Sequence, residues 1–260
     1  MIDFKKVLKI NRVNDPGTLY VIKHIPKSAG TSLRMQIIED YEPDEIFCFY
    51  NELVGKHCFM NEKDFHEKQK RYSDLDLKRV KILIGHMVNQ RIALTFNRPV
   101  KYITIIREPA ERLVSLYLHQ LRSRYRRLDK SIAEIGEIEQ TDLIRDFSFW
   151  FDHLYFSASL THNLANFFKD KISRLQLYNE KNILQYALKA LESFDCLGII
   201  EENETFRNIE SMLKLTQNVG FYNQGEYSKN QHLYEFAKIK ILEKWPLDFE
   251  LYQHARKLKK

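Results

Sequence analysis

No run of about 18 apolar residues occurs anywhere in this sequence, so no segment reads as a membrane-spanning helix. The first residues, MIDFKKVLKINRVND, likewise lack the apolar middle of a secretory leader. Cysteine is scarce: Cys48, Cys58 and Cys196 are odd in number, scattered and without a C-x-x-C pair, which argues against a disulfide framework and for a reducing compartment. A cytoplasmic protein is expected. Only 8 glycines and 6 prolines occur, with no repeat or low-complexity tract, so nothing marks a flexible linker and one domain over residues 1–260 is expected. Cys48, His57, Cys58 and His66 are metal-ligand types, but their spacing matches no common zinc pattern, and no metal is expected.

What is present suffices for a large packed domain: 44% of the 260 residues are hydrophobic. Lysine and arginine total 41 against 35 acidic residues, a formal charge of +6. Nucleic acid, a phosphorylated cofactor and an acidic glycan all fit such a balance, and so does a merely soluble, mildly basic surface.

Three short β-branched runs read as buried parallel strands: TLYVIKHI (18–25), VKILIGH (80–86) and VKYITIIRE (100–108), with FDCLGII (194–200) a fourth. Helical patterns follow or separate them at 30–41, 109–128 and 180–194, with two more around 204–215 and 231–258, the last broken at Pro246. The alternation predicts an α/β fold: a P-loop-like, three-layer α/β/α arrangement around a central, mostly parallel sheet. Ligands of such sheets bind at the carboxyl ends of the strands. The first strand ends at HIPKSAGTS, the second at GHM and the third at REPAERLVS, so three polar clusters should meet in one crevice.

In HIPKSAGTSL (24–33), Pro26 ends the strand, Gly30 permits a tight bend, and Thr31, Ser32 and Leu33 begin a helix whose unpaired N–H groups favour an anion. Walker A it is not, because there the lysine follows the last glycine, whereas Lys27 precedes Gly30. Placed early, Lys27 can neutralise a leaving or bridging oxygen at the loop's mouth without a metal. An ordinary strand-turn-helix connection would carry the same Pro and Gly.

In YITIIREPAERLVSLYLHQL, Pro109 suits the first helical position, and Glu108 and Glu111 complement the helix dipole. Arg107 stands at the strand end and Ser115 about 9 Å along the helix, a spacing that suits a phosphate clamp. The alternative is an Arg107–Glu111 pair with Ser115 as a helix-surface hydroxyl.

Together these segments resemble the two signatures of PAPS-dependent sulfotransferases, where PAPS is 3′-phosphoadenosine 5′-phosphosulfate and PAP its desulfated product. The likeness is to the carbohydrate branch related to heparan sulfate and uronyl 2-O-sulfotransferases, with a P-K-[ST]-A-[GS]-T-S loop, a G-H pair and an I-R-[DE]-P-x-E-R-L-V-S segment in that order. Here they stand as Pro26 to Ser32, Gly85-His86, and Ile106 to Ser115. FDCLGIIEENE (194–204) and PLDFELYQHA (246–255) are similar to less specific later landmarks of the family.

The resemblance implies metal-free, in-line transfer of a sulfuryl group from PAPS to a hydroxyl, with a carbohydrate or glycoconjugate, acidic or neutral, as the acceptor. Lys27 would bind the bridging oxygen, while Ser28, Ala29, Gly30, Thr31 and Ser32 hold the 5′-phosphate. Arg107 and Ser115 would hold the 3′-phosphate, and His86 would be the general base. Relatives in the wider group use a carboxylate base, for which Glu45 and Glu52 rank below His86. The segment LTHNLANFF (160–168) keeps only Asn163 and flanking polar groups of the relatives' polar pattern, so acceptor specificity does not carry over. The eukaryotic glycan enzymes carry a membrane anchor that this sequence lacks, which points to a bacterial-type soluble member.

Two further clusters stay open. Arg122, Arg124, Arg126 and Arg127 around Tyr125 could steer an acidic glycan or simply complement a helix C-terminus; no nucleic-acid motif accompanies them. The aromatics of FSFWFDHLYF (147–156) could line a sugar or fill a core. The rival functions are a P-loop nucleotide kinase or phosphotransferase and a non-catalytic binder of glycan or nucleic acid on the same fold.

Overall fold

The computed structural model describes residues 17–50, 57–127, 140–155, 158–167, 180–202, 204–216 and 231–258. Five strands, β1 (Leu19–His24), β2 (Ile46–Phe49), β3 (Ile82–Gly85), β4 (Val100–Ile106) and β5 (Cys196–Ile199), form one sheet in the order β2-β3-β1-β4-β5. Every pair is parallel. All four strands expected from the apolar runs are present, and the fold is the anticipated three-layer α/β/α. The addition is β2, a four-residue strand whose every residue is buried. Its run is too short to show a period, and a 3₁₀ turn at Pro43–Glu45 leads straight into it.

Alternation along β1 divides the core. Leu19, Val21 and Ile25 join a cluster on one face with Phe47, Leu83 and Ile106, whereas Ile22 faces the other side with Ile84, Ile103 and Ile105. Helices α1 (Gly30–Asp40) and α9 (Thr205–Leu213) cover the second face through Leu33, Ile37, Ile209 and Leu213. The first face is covered by α2 (Glu62–Gln69), α4 (Gln90–Leu94), α7 (Leu160–Ala165), α8 (Glu180–Ser193) and α11 (Pro246–Leu258), with α3 (Asp74–Arg79) flanking it. Helix α5 (Pro109–Arg127), α6 (Gln140–Asp152) and α10 (Gln231–Lys244) build a third cluster around Leu113, Tyr117, Phe147, Phe151 and Trp245.

The break at Pro246 occurs as expected, α10 ending at Lys244 and α11 starting at the proline. Most of the aromatic run sits on α6, where Phe147 and Phe151 are fully buried and Trp150 packs beside them, while Phe149 and Tyr155 are exposed and Phe156 lies outside the described residues. No described helix is long and apolar enough to cross a membrane.

Because β3 and β4 flank β1, the three polar strand ends are neighbours. The chain turns from one side of β1 to the other at this point, where open parallel sheets leave a crevice.

Candidate active site

The loop after β1 makes its turns in residues that resist them. Lys27 and Ala29 both occupy the left-handed region, at φ 67° and 53°, a conformation that costs non-glycine residues on the order of 1–3 kcal/mol. Gly30 does not supply the bend, which corrects the expectation drawn from its position. Its reason is space: a Cβ there would lie 1.9 Å from Cδ2 and Nε2 of His24. Ala29 serves as N-cap of α1 without a side-chain hydrogen bond, and no acidic residue occupies that helix's first turn. Its leading N–H groups are therefore left for an external acceptor.

Two side chains fit the same occupant. Ser28 is 1% exposed, and its Oγ has no hydrogen-bond partner among the described residues, a donor that an anion oxygen would satisfy. The Lys27 ammonium is lowered from its ordinary range by burial, then by Arg107 and Arg122. No carboxylate among the described residues pairs with it. A buried orphan hydroxyl, an uncapped helix and converging cations match a bound phosphate or sulfate ester.

His86 follows β3 at the adjacent strand end. Gly85 precedes it at φ 154°, and a Cβ there would lie 2.1 Å from the Phe49 carbonyl oxygen, so this glycine admits the β2 backbone. The His86 Nδ1–H donates to the His24 carbonyl at 2.8 Å, and the Lys23 ammonium donates to the His86 carbonyl at 2.5 Å. Since a carbonyl only accepts, Nδ1 carries the proton and the lone pair of the neutral ring lies on Nε2. The His24 ring lies against that of His86, tilted by 35° with centroids 4.3 Å apart, and its Nδ1 lies 2.9 Å from the Tyr50 hydroxyl.

Arg107 reaches the crevice already engaged: its Nε and Nη2 donate to Glu111 Oε2 at 3.2 and 2.7 Å. The pairing weighed from sequence is thus real, and it holds the guanidinium where it still acts on Lys27. Ser115 lies two helical turns further, 3% exposed and so not the surface hydroxyl of the alternative. Unlike α1, α5 caps itself, since the Glu108 carboxylate accepts the Glu111 N–H at 2.8 Å. Burial raises the Glu108 carboxyl, and neighbouring Glu111 and Glu201 add to the rise.

The structure brings Lys27, Ser28, the α1 terminus, His86 and Arg107 to one edge of the sheet. Glu45 is excluded from it. It precedes β2, at the amino end of the strands, where it pairs with Lys81 at 2.7 Å and caps the 3₁₀ turn. Glu52 and the side chains of Arg126 and Arg127 lie outside the described residues. Of the metal-ligand types, His57 is bound to Tyr72 and Asp44, while Cys48 is buried and its thiol is pushed up to about 12 by desolvation and by Cys58.

Sequence reasoning passed over His24, Tyr50, Lys23 and Arg112. His24 stood within the quoted loop motif, but nothing in spacing shows that its ring lies against a residue 62 positions away. Arg112 belongs to the quoted E-R-L-V-S segment, and only the fold reveals its partner, Asp248.

A parallel sheet with an uncapped helix behind its central strand and cations near that terminus defines an α/β protein with a candidate anion site at the strand ends. A model of the sulfotransferase family matches residues 15–255, and the chain belongs to that family. It is accordingly a transferase of sulfuryl groups. No curated protein matches the chain.

Proposed function

We propose that residues 1–260 act as one cytoplasmic sulfotransferase domain that moves a sulfuryl group from PAPS to a hydroxyl of a carbohydrate or glycoconjugate. The observation that carries this reading is the juxtaposition of the anion cradle (Lys27, orphan Ser28 Oγ, uncapped α1) with a histidine whose Nδ1 is committed to a carbonyl. Bound PAPS would supply an activated sulfuryl group with PAP as leaving group. Backbone N–H groups at Ala29, Gly30, Thr31 and Ser32 would receive the 5′-phosphate, and Lys27 the charge growing on the bridging oxygen. Arg107 and Ser115 would hold the 3′-phosphate. His86 Nε2 would take the acceptor's hydroxyl proton. No metal is needed for these roles.

The test is incubation with sulfur-labelled PAPS and a panel of glycans, glycolipids and small alcohols, following PAP release and labelled product. Label transfer without added Mg²⁺ supports the reading, whereas transfer only from ATP with Mg²⁺ refutes it.

Two substitutions separate the phosphate sites. Lys27→Ala should weaken PAP binding by about 10-fold or more and slow transfer further, because its charge matters most as the bridging bond breaks. Calorimetry and initial rates check this; unchanged affinity and rate would remove Lys27 from the site. Arg107→Ala should weaken PAP by roughly 10- to 100-fold while hardly changing 5′-AMP affinity. An equal loss for both nucleotides contradicts the 3′-phosphate assignment.

A further inference from the structure

We propose that His24 is itself part of the anion cradle, donating its Nε2–H to the phosphate or sulfate ester held over α1. This rests on the reading of the loop as an anion site and adds a donor to it.

The argument begins with Tyr50. Its phenol is 5% exposed, and the His24 Nδ1 at 2.9 Å is its only hydrogen-bond partner among the described residues. Were Nδ1 protonated, the phenol oxygen would accept and its own proton would be buried without an acceptor, at a cost of about 1–3 kcal/mol. The phenol therefore donates to Nδ1. Burial raises the Tyr50 hydroxyl above its ordinary range, so it stays a donor at all working pH values.

His24 must then carry its single proton on Nε2 whenever it is neutral. Burial lowers the His24 pKa well below the usual range, and His86, Arg34, Lys23 and Lys27 lower it further, so the ring is neutral at pH 7. The Nε2–Cδ2 edge occupies the space that a Cβ at Gly30 would need. A donor thus stands beside the first residue of the uncapped helix, and the absence of a side chain at position 30 keeps it there. The tilted contact with the His86 ring and the hydrogen bond to Tyr50 together hold the ring in place. A neutral donor also suits the neighbouring base, because a charged His24 would oppose proton uptake by His86.

Nitrogen-15 imidazole spectra of the intact protein test this without turnover. In the free protein His24 should appear as the Nε2–H tautomer, and its Nε2–H resonance should move downfield on titration with PAP. His24→Phe, which preserves the ring contact with His86, should bind PAP roughly 10- to 100-fold more weakly, and His24→Gln should regain part of the loss through its amide N–H. Tyr50→Phe should mix the two tautomers, a change that a purely structural role would not produce. An Nδ1–H tautomer in the wild type, or an unmoved Nε2–H signal at saturating PAP, overturns the inference while leaving the loop reading intact. Failure of PAP to bind overturns both.

Discussion

His86→Ala should slow sulfuryl transfer by roughly 10²- to 10⁴-fold while PAP affinity falls far less, by no more than about 10-fold, through loss of the contact with the His24 ring. The two effects differ in size because His86 would take the proton itself but would touch the bound anion only through the neighbouring His24 ring. Lys27, Ser28 and α1 would form the anion site, whereas the His86 ring is fixed by the His24 carbonyl. Alanine keeps the His86 carbonyl that receives the Lys23 ammonium, so the backbone after β3 retains its anchor. What disappears is the Nε2 lone pair, the group able to accept a proton as a hydroxyl attacks. Equilibrium binding of PAP and single-turnover rates with labelled PAPS measure the two quantities independently. Near-full activity would remove His86 from the base role. Parallel losses of affinity and rate would make it a structural residue of the loop.

The same separation explains what could be read before the fold was known. Strands β1, β3, β4 and β5 are β-branched runs with polar punctuation, and burial on both faces of a parallel sheet demands such runs. Their order follows less directly from composition, yet right-handed crossovers and neighbouring strand ends already placed Lys27, His86 and Arg107 together. The four-residue β2 escaped because a run of that length carries no period. The glycine at position 30 has a cause no local pattern shows: the left-handed backbone falls on Lys27 and Ala29, and Gly30 makes room for a side chain six residues earlier. Residues whose role is set by a distant partner, such as His24 against Tyr50 and Arg112 against Asp248, have no signature in local spacing.

Asp248→Ala should destabilise the protein by about 3–5 kcal/mol, a large part of the 5–15 kcal/mol that holds a typical domain folded. Asp248 is 0% exposed in the first turn of α11, yet its carboxylate serves another helix. Oδ2 accepts the Leu160 N–H at 2.7 Å, and Oδ1 accepts the Thr161 N–H at 2.8 Å and the Thr161 hydroxyl at 2.7 Å. Those donors open α7, so one buried anion serves that helix's first N–H groups while complementing the dipole of its own helix. Arg112 of α5, 1% exposed, lies 3.9 Å from Oδ2 and donates to the Ala158 carbonyl at 2.6 Å. Alanine would leave an uncompensated buried guanidinium and three donors without their acceptor, and that combination dominates over the small loss of packing. Urea unfolding should show a lower midpoint at unchanged slope. Arg112→Met combined with Asp248→Leu should recover part of the loss by removing both charges, although the α7 N–H groups remain unserved. Because α5 also carries Ser115 and begins just after Arg107, its loosening should weaken PAP binding in Asp248→Ala even where the protein remains folded. A stability change below about 1 kcal/mol, the range of an exposed ion pair, would show that solvent reaches this pair and that it does not lock the three helices together.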